Sequence, residues 1–248
     1  RWQRDQFPEI FRPKIEVIFD GVDTDLWRPR GHSPREAGSI KIGDGVRLVT
    51  YVSRGFESIR GFDLFMRVAK KLYRSRPDVR FLVVGEDRVC YGGDLARTGG
   101  KTYKEWVLSQ DDYDLSRFHF AGRVPPETLA SIFSITDLHL YWTVPFVLSW
   151  SLMDALACGA TVLASDTAPV REMIEHEKNG LLVDFFDVDG FASQAARVLD
   201  DPDRYRPLGQ AGRETLREHY PLEASFPPWN RMLEQAANRR HPGSGARR

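Results

Sequence analysis

Apolar residues along the chain fall into two alternating patterns. Short continuous runs, "RLVTYV" (47–52), "VRFLVV" (79–84), "RFHFAG" (117–122), "LHLYW" (138–142), "ATVLAS" (160–165) and "GLLVD" (180–184), read as buried strands. Between them apolar positions recur at three- and four-residue steps, as in Phe62, Phe65, Ala69 and Leu72, which share one face of a helix. Further helices are predicted over 102–109, 126–133, 170–176 and within "VPFVLSWSLMDALACGATVLASD" (144–166), where Leu148, Leu152 and Leu156 are four apart. An earlier strand is predicted at 15–19, followed by a turn at Asp20 and Gly21 and a loop closing at Pro29.

Strands that alternate with helices of about ten residues pair in parallel through right-handed crossovers. Continuous rather than alternating apolar runs are expected when helices cover both faces of the sheet. The predicted fold is therefore α/β, a doubly wound, mostly parallel sheet, and 187–240 adds three C-terminal helices. In such sheets ligands bind beyond the carboxyl ends of the strands, so the loops after strands carry the informative residues. "GHSPREAGSIKIGDG" (31–45) is predicted to be a flexible surface loop and "HPGSGARR" (241–248) a disordered tail.

Composition narrows the partners. The 248 residues, 42% hydrophobic, suffice for one large domain or two small ones. The 35 basic and 35 acidic residues cancel, so no global field attracts nucleic acid or an anionic membrane, and partners must be argued from sites. Cys90 and Cys158 fit neither a C-x-x-C nor a metal spacing, which suits two free thiols in the cytoplasm. No run is long enough to span a membrane, and "RWQRDQFPEIF" lacks the apolar core of a signal peptide. Arg at position 1 is the start expected of a piece of a longer chain.

The loop after the first core strand carries Arg54 and Arg60 beside Gly55 and Gly61, just before a helix. Two guanidiniums at a helix N-terminus can clamp a diphosphate, or can be two solvated arginines. The glycines do not form G-x-G-x-x-G, which argues against a dinucleotide site. "GKT" at 100–102 is not a P-loop, because Leu95 stands where its first glycine should be; Thr102 and Glu105 fit a helix capping box instead. No histidine spacing suggests a metal site, no G-x-S-x-G elbow is present, and His119 and His139 read as core-edge strand residues. Asp154 is a carboxylate within an apolar helix, a costly placement unless it is hydrogen-bonded. It can reach back to a capping Ser151, or accept hydrogen bonds from a ligand's hydroxyls such as a ribose diol.

Five stretches, "VIFDGVDTDLWRP", "YVSRGFESIRGFDLF", "VRFLVVGED", "RFHFAGRVPPETLASIFSITDLHLYW" and "SLMDALACGATVLASDTAPVREMIEHEKNGLLVD", occur in an order and spacing that resembles the C-terminal half of family 4 glycosyltransferases. The resemblance covers about 14–200. It implies the Rossmann-like donor-binding half of a GT-B fold and retaining transfer of a sugar from a nucleoside-diphosphate sugar, with no metal or other cofactor. Arg54 and Arg60 match the family's diphosphate-holding Arg and Lys, and stabilise the leaving group. Arg123 and Val124 fall where backbone groups read the base. Asp154 matches the carboxylate that holds the ribose, one methylene shorter than the usual Glu. Phe146 replaces the family's first Glu, which contacts the donor sugar; Ser149 is the small residue left in the turn that follows. Glu172 matches a further acidic position, with "TAP" in place of paired glycines before it.

The implied division is 1–13 as a segment from between two domains, 14–200 as the donor-binding domain, 201–240 as C-terminal helices and 241–248 as the tail. An acceptor glycan or lipid would be held by an N-terminal domain, in the cytoplasm or at the inner face of the membrane, in bacterial polysaccharide or cell-envelope synthesis. Two other functions stand beside it: a degenerate nucleotide-binding or scaffolding module, which the departures at Phe146 and the missing glycines suggest, and a nucleotide-sugar epimerase, which keeps the fold but changes the chemistry.

Overall fold

The computed structural model describes residues 1–31 and 35–239. The predicted tail at 241–248 and His32 to Pro34 of the predicted surface loop lie outside them. In chain order the elements are α1 (Trp2–Asp5), β1 (Glu36–Ala37), β2 (Ile40–Lys41), β3 (Arg47–Gly55), α2 (Phe62–Ser75), β4 (Val79–Glu86), α3 (Tyr103–Leu108), β5 (Phe118–Gly122), α4 (Pro126–Ile135), β6 (Leu138–Tyr141), α5 (Trp150–Ala157), β7 (Val162–Ser165), β8 (Leu181–Val183), α6 (Val188–Asp200), α7 (Pro202–His219) and α8 (Leu222–Arg239).

Six strands form one parallel sheet in the order β5-β4-β3-β6-β7-β8. Successive β3 residues point to opposite faces. Val49 and Tyr51 pack with α2 and α6 through Phe62, Phe65, Phe191 and Val198, whereas Leu48 and Val52 pack with α4, α5 and Leu216 of α7. Two apolar layers thus sandwich a sheet whose strands are apolar on both sides, as the continuous runs require. The chain leaves β3 toward β4 and β5, then returns to β6 on the other side. The β3/β6 boundary is therefore the topological switch point, where the following loops diverge and open a crevice.

Four local expectations need correction. The predicted strand at 15–19 forms no strand pairing, and the nearest pairing is an isolated bridge from Val22 to Pro221. Within the predicted surface loop, β1 and β2 pair as a short antiparallel hairpin, with Gly38 at φ 62° in its turn. The helix expected at 170–176 is only a 3-10 turn, Val170–Glu172. His139 is fully buried in central β6, not at the core edge, and donates to or accepts from Thr50 Oγ1 at 3.0 Å; burial lowers its pKa to about 3. His119 lies exposed on edge strand β5.

The Thr102–Glu105 capping box is present at the start of α3. No helix of the described residues is long and apolar enough to cross a membrane.

Candidate functional site

The loops after β3 and β6 meet at the switch point. After β3 the chain makes a 3-10 turn, Ser58–Arg60, and enters α2 through Gly61 at φ 63°. A Cβ at Gly61 would lie 2.6 Å from Trp142 Cβ, so glycine both permits the left-handed turn and lets the loop close on the end of β6. Arg60 Nη1 then donates to Thr143 Oγ1 at 2.6 Å and to the Val147 carbonyl at 3.0 Å, joining the two loops. Tyr51 donates from its hydroxyl to the Arg60 carbonyl at 2.9 Å.

Arg60 is only 7% exposed, yet among the described residues no carboxylate lies within ion-pair distance of it. A buried guanidinium without a counter-charge is costly, and the cavity it lines is where an anion would relieve that cost. This cavity, about 380 Å³, is bounded by Ser53, Arg54, Glu57, Arg60, Tyr91 and the 146–150 segment. Arg54 is exposed at its rim, donating to Tyr91 Oη at 2.9 Å.

A second cavity of about 380 Å³ continues from the first. The two share Ser53, Arg54, Ser149 and Trp150, and the second extends past Arg123 and Val124 to Asp154. The two adjoin at these shared residues, at the carboxyl ends of the central strands, and the start of α5 borders both. Ser149 is the N-cap of α5, its side chain accepting from the Ser151 N–H at 3.3 Å.

With Ser149 as cap, Asp154 lies too far along α5 for a capping box, so the Ser151–Asp154 alternative does not hold. Among the described residues nothing donates a hydrogen bond to the Asp154 carboxylate. The side chain is 7% exposed, and desolvation pushes its pKa up to about 8. An unsatisfied acceptor facing a cavity at a switch point is the arrangement a ligand hydroxyl completes.

The sequence-predicted residues thus divide between neighbouring spaces. Arg54, Arg60, Phe146 and Ser149 line the first cavity; Arg54, Arg123, Val124, Ser149 and Asp154 line the second. Glu172 lies apart, in a third space shared with Phe146, Trp150 and Trp2, where it accepts the Trp2 backbone N–H. Sequence reasoning missed Glu57 and Tyr91. Tyr91 sits in the polar loop after β4, a strand whose carboxyl end also faces the cleft; that placement was the available signal.

Comparison with known proteins identifies the family and the fold. The family model for glycosyl transferases group 1 matches residues 33–215, and that for the glycosyl transferase family 4 group matches residues 1–27. The D-inositol 3-phosphate glycosyltransferase of Segniliparus rotundus is 26% identical over 199 residues, 80% of this chain and 42% of that protein. The C-terminal domain of the group 1 family glycosyl transferase LpcC from Francisella tularensis superposes with a TM-score of 0.65 at 18% identity, covering 82% of this chain and 100% of that one. Anabaena Alr3699/HepE, solved in complex with UDP-glucose, superposes with a TM-score of 0.73 at 16% identity, covering 89% of this chain and 57% of that one. The chain spans about half the length of the curated relatives it matches.

Proposed function

We propose, given that the chain belongs to the group 1 glycosyl transferases, that its cleft holds a nucleoside-diphosphate sugar for retaining, metal-independent transfer. The observation that carries this reading is that a buried guanidinium and a buried carboxyl, each without the partner it calls for, lie in neighbouring cavities that share their lining. Buried Arg60, without a carboxylate partner, and rim Arg54 line one part, and buried Asp154, without a donor, lies in the other. A nucleoside diphosphate carries the complementary groups in the same order: phosphates for the guanidiniums, a ribose diol for the carboxylate, and a base toward Arg123 and Val124.

In this reading Arg54 and Arg60 neutralise the charge that develops on the departing diphosphate, from positions set before the reaction begins. Arg60 is prepositioned by Thr143 and Val147. Residues 14–200 form the donor-binding unit, the helices that follow it as far as residue 239 brace it, and 1–13 lead from a further domain that holds an acceptor glycan or lipid. Glu172 then serves that junction through Trp2 rather than touching the donor. The setting we propose is cytoplasmic, at the inner face of the membrane, in bacterial envelope or polysaccharide synthesis.

Calorimetry of the chain with UDP, GDP and ADP tests the reading. One of them should bind with 1:1 stoichiometry, and Arg60→Ala should weaken it by at least about tenfold, the loss of one charge-assisted contact worth roughly 1.5–3 kcal/mol. No heat with any of the three at millimolar concentration would reject it. Phe146, an exposed apolar residue where a sugar-contacting carboxylate is expected, favours one second reading: a module that retains the nucleotide without transfer. Sugar transfer by the longer protein, lost in Arg60→Ala, would exclude that reading.

A further inference from the structure

Four large apolar side chains, Tyr91, Phe146, Val147 and Trp150, are exposed around the mouth of one cavity. Scattered exposed apolar residues are ordinary, but a group rimming a concave site marks a binding surface. Tyr91 is 52% exposed and Phe146 43% exposed, and their ring centroids lie 6.3 Å apart at an interplanar angle of 57°.

Tyr91 is also held in place from both ends. Glu57 Oε1 accepts the successive backbone N–H groups of Cys90, Tyr91 and Gly92 at 2.8, 2.6 and 2.8 Å, filling a concave nest of donors. Glu57 is itself fully buried and starts the turn that carries Arg60. At the other end the phenol oxygen accepts from Arg54 Nη1 at 2.9 Å, and the guanidinium carbon stands 5.9 Å from the ring centroid. The loop backbone is brought close because Gly55 has no Cβ; one there would lie 2.3 Å from the Arg88 carbonyl oxygen. An exposed aromatic ring fixed through backbone and hydroxyl is preorganised, and a ligand that meets it loses little to ordering it.

The geometry points to a sugar subsite made by an aromatic platform: Tyr91 and Phe146 receive the C–H face of the donor's sugar, and Glu57 acts as the positioning residue that sets Tyr91. This rests on the nucleotide-sugar reading and specifies its sugar end. The platform lies in the same cavity as Arg54 and Arg60, on the side away from Asp154, so a sugar attached to the diphosphate arrives beside it. A pyranose turns several ring C–H groups to one face and its hydroxyls outward or to the other. An aromatic surface buries the apolar face and takes no hydrogen bond from any one hydroxyl. The substrate class is therefore a nucleoside-diphosphate pyranose with an unobstructed C–H face. A hydroxyl removed from that sugar should cost little here, unlike at a site that accepts from it.

The test compares affinity for UDP with UDP-glucose, GDP with GDP-mannose and ADP with ADP-glucose, by calorimetry on the chain and its variants. For the pair that binds, Phe146→Ala and Tyr91→Ala should each lower the ratio of sugar-nucleotide to nucleotide affinity by roughly five- to tenfold, a factor of ten being about 1.4 kcal/mol. Tyr91→Phe, which keeps the ring, should lower it less. Glu57→Ala should lower the same ratio, and Glu57→Gln, whose amide oxygen can still accept the three N–H groups, should restore it. Nucleotide binding with a ratio unchanged in Phe146→Ala and Tyr91→Ala would overturn the platform and leave the nucleotide reading standing. Failure of all six compounds to bind would overturn both.

Discussion

Replacing Asp154 by Asn should make the chain more stable at pH 8 and change how its stability depends on pH. The Asp154 carboxyl is buried, accepts no hydrogen bond among the described residues, and has its pKa pushed up to about 8 by desolvation alone. In the unfolded chain it should titrate near 3.9. The native state therefore binds the proton more tightly, so stability from this group is fully present below about pH 4 and is lost as pH rises toward 8. Each unit in that window costs about 1.4 kcal/mol, and four units amount to on the order of 5 kcal/mol, an upper figure because relaxation around the charge reduces it. Neighbouring Cys158, whose own pKa burial pushes up to about 12, stays neutral in the folded chain over this range. Urea unfolding of wild type and Asp154→Asn between pH 5 and 9 isolates the contribution of this carboxyl, since groups away from it cancel in the difference. The wild type should lose stability relative to the variant with rising pH and level off above about pH 8. A difference that stays constant from pH 5 to 8 would refute the claim that this carboxylate is buried without a partner.

Three further outcomes follow from the same geometry. His139 has a folded pKa near 3 against about 6.5 unfolded, so its contribution is intact above pH 6.5 and lost progressively below it; His139→Gln should flatten that acid limb in urea unfolding. Gly61→Ala should destabilise by about 2–4 kcal/mol in the same assay, combining a left-handed φ of 63° with a Cβ 2.6 Å from Trp142, and a loss under 1 kcal/mol would contradict that fit. Arg60→Lys keeps the charge but replaces the planar fork, whose Nη1 holds Thr143 and Val147 while its other nitrogens stay available to a ligand, by one nitrogen that must serve both, so nucleotide affinity by calorimetry should fall about tenfold while Arg60→Ala falls further.

Much of this architecture was legible because parallel strands with helices on both faces leave a strong signal: six apolar runs became the six strands in sequence order. Weakly patterned segments were not legible. The 15–19 run has strand composition but no neighbour to pair with, and the chain leaves the 3-10 turn Val170–Glu172 to place His176 in an isolated bridge with Gly180, a tertiary pairing the apolar pattern of 170–176 does not show. Arg54, Arg60 and Asp154 could be picked out because a charge beside glycines, or inside an apolar helix, conflicts with its surroundings. The Ser149 cap was missed because Ser149 and Ser151 are equally good caps in sequence, and only the backbone of α5 decides between them. Glu57 and Tyr91 carry no local conflict. Their roles arise from a loop 33 to 35 residues further along folding back onto Glu57, a tertiary contact without a periodic trace.

In the proposed function a nucleoside diphosphate lies across the two adjoining cavities with its ribose on Asp154. The most direct measurement is calorimetry, at pH 8, of the nucleoside diphosphate that binds against its 2′,3′-dideoxy counterpart, in wild type and Asp154→Asn. Removing the diol should weaken binding to wild type by at least about tenfold, a hydrogen-bonded carboxylate contact of roughly 1.5–3 kcal/mol, and should matter much less in the variant. Equal affinity of wild type for the two nucleotides would contradict the assignment.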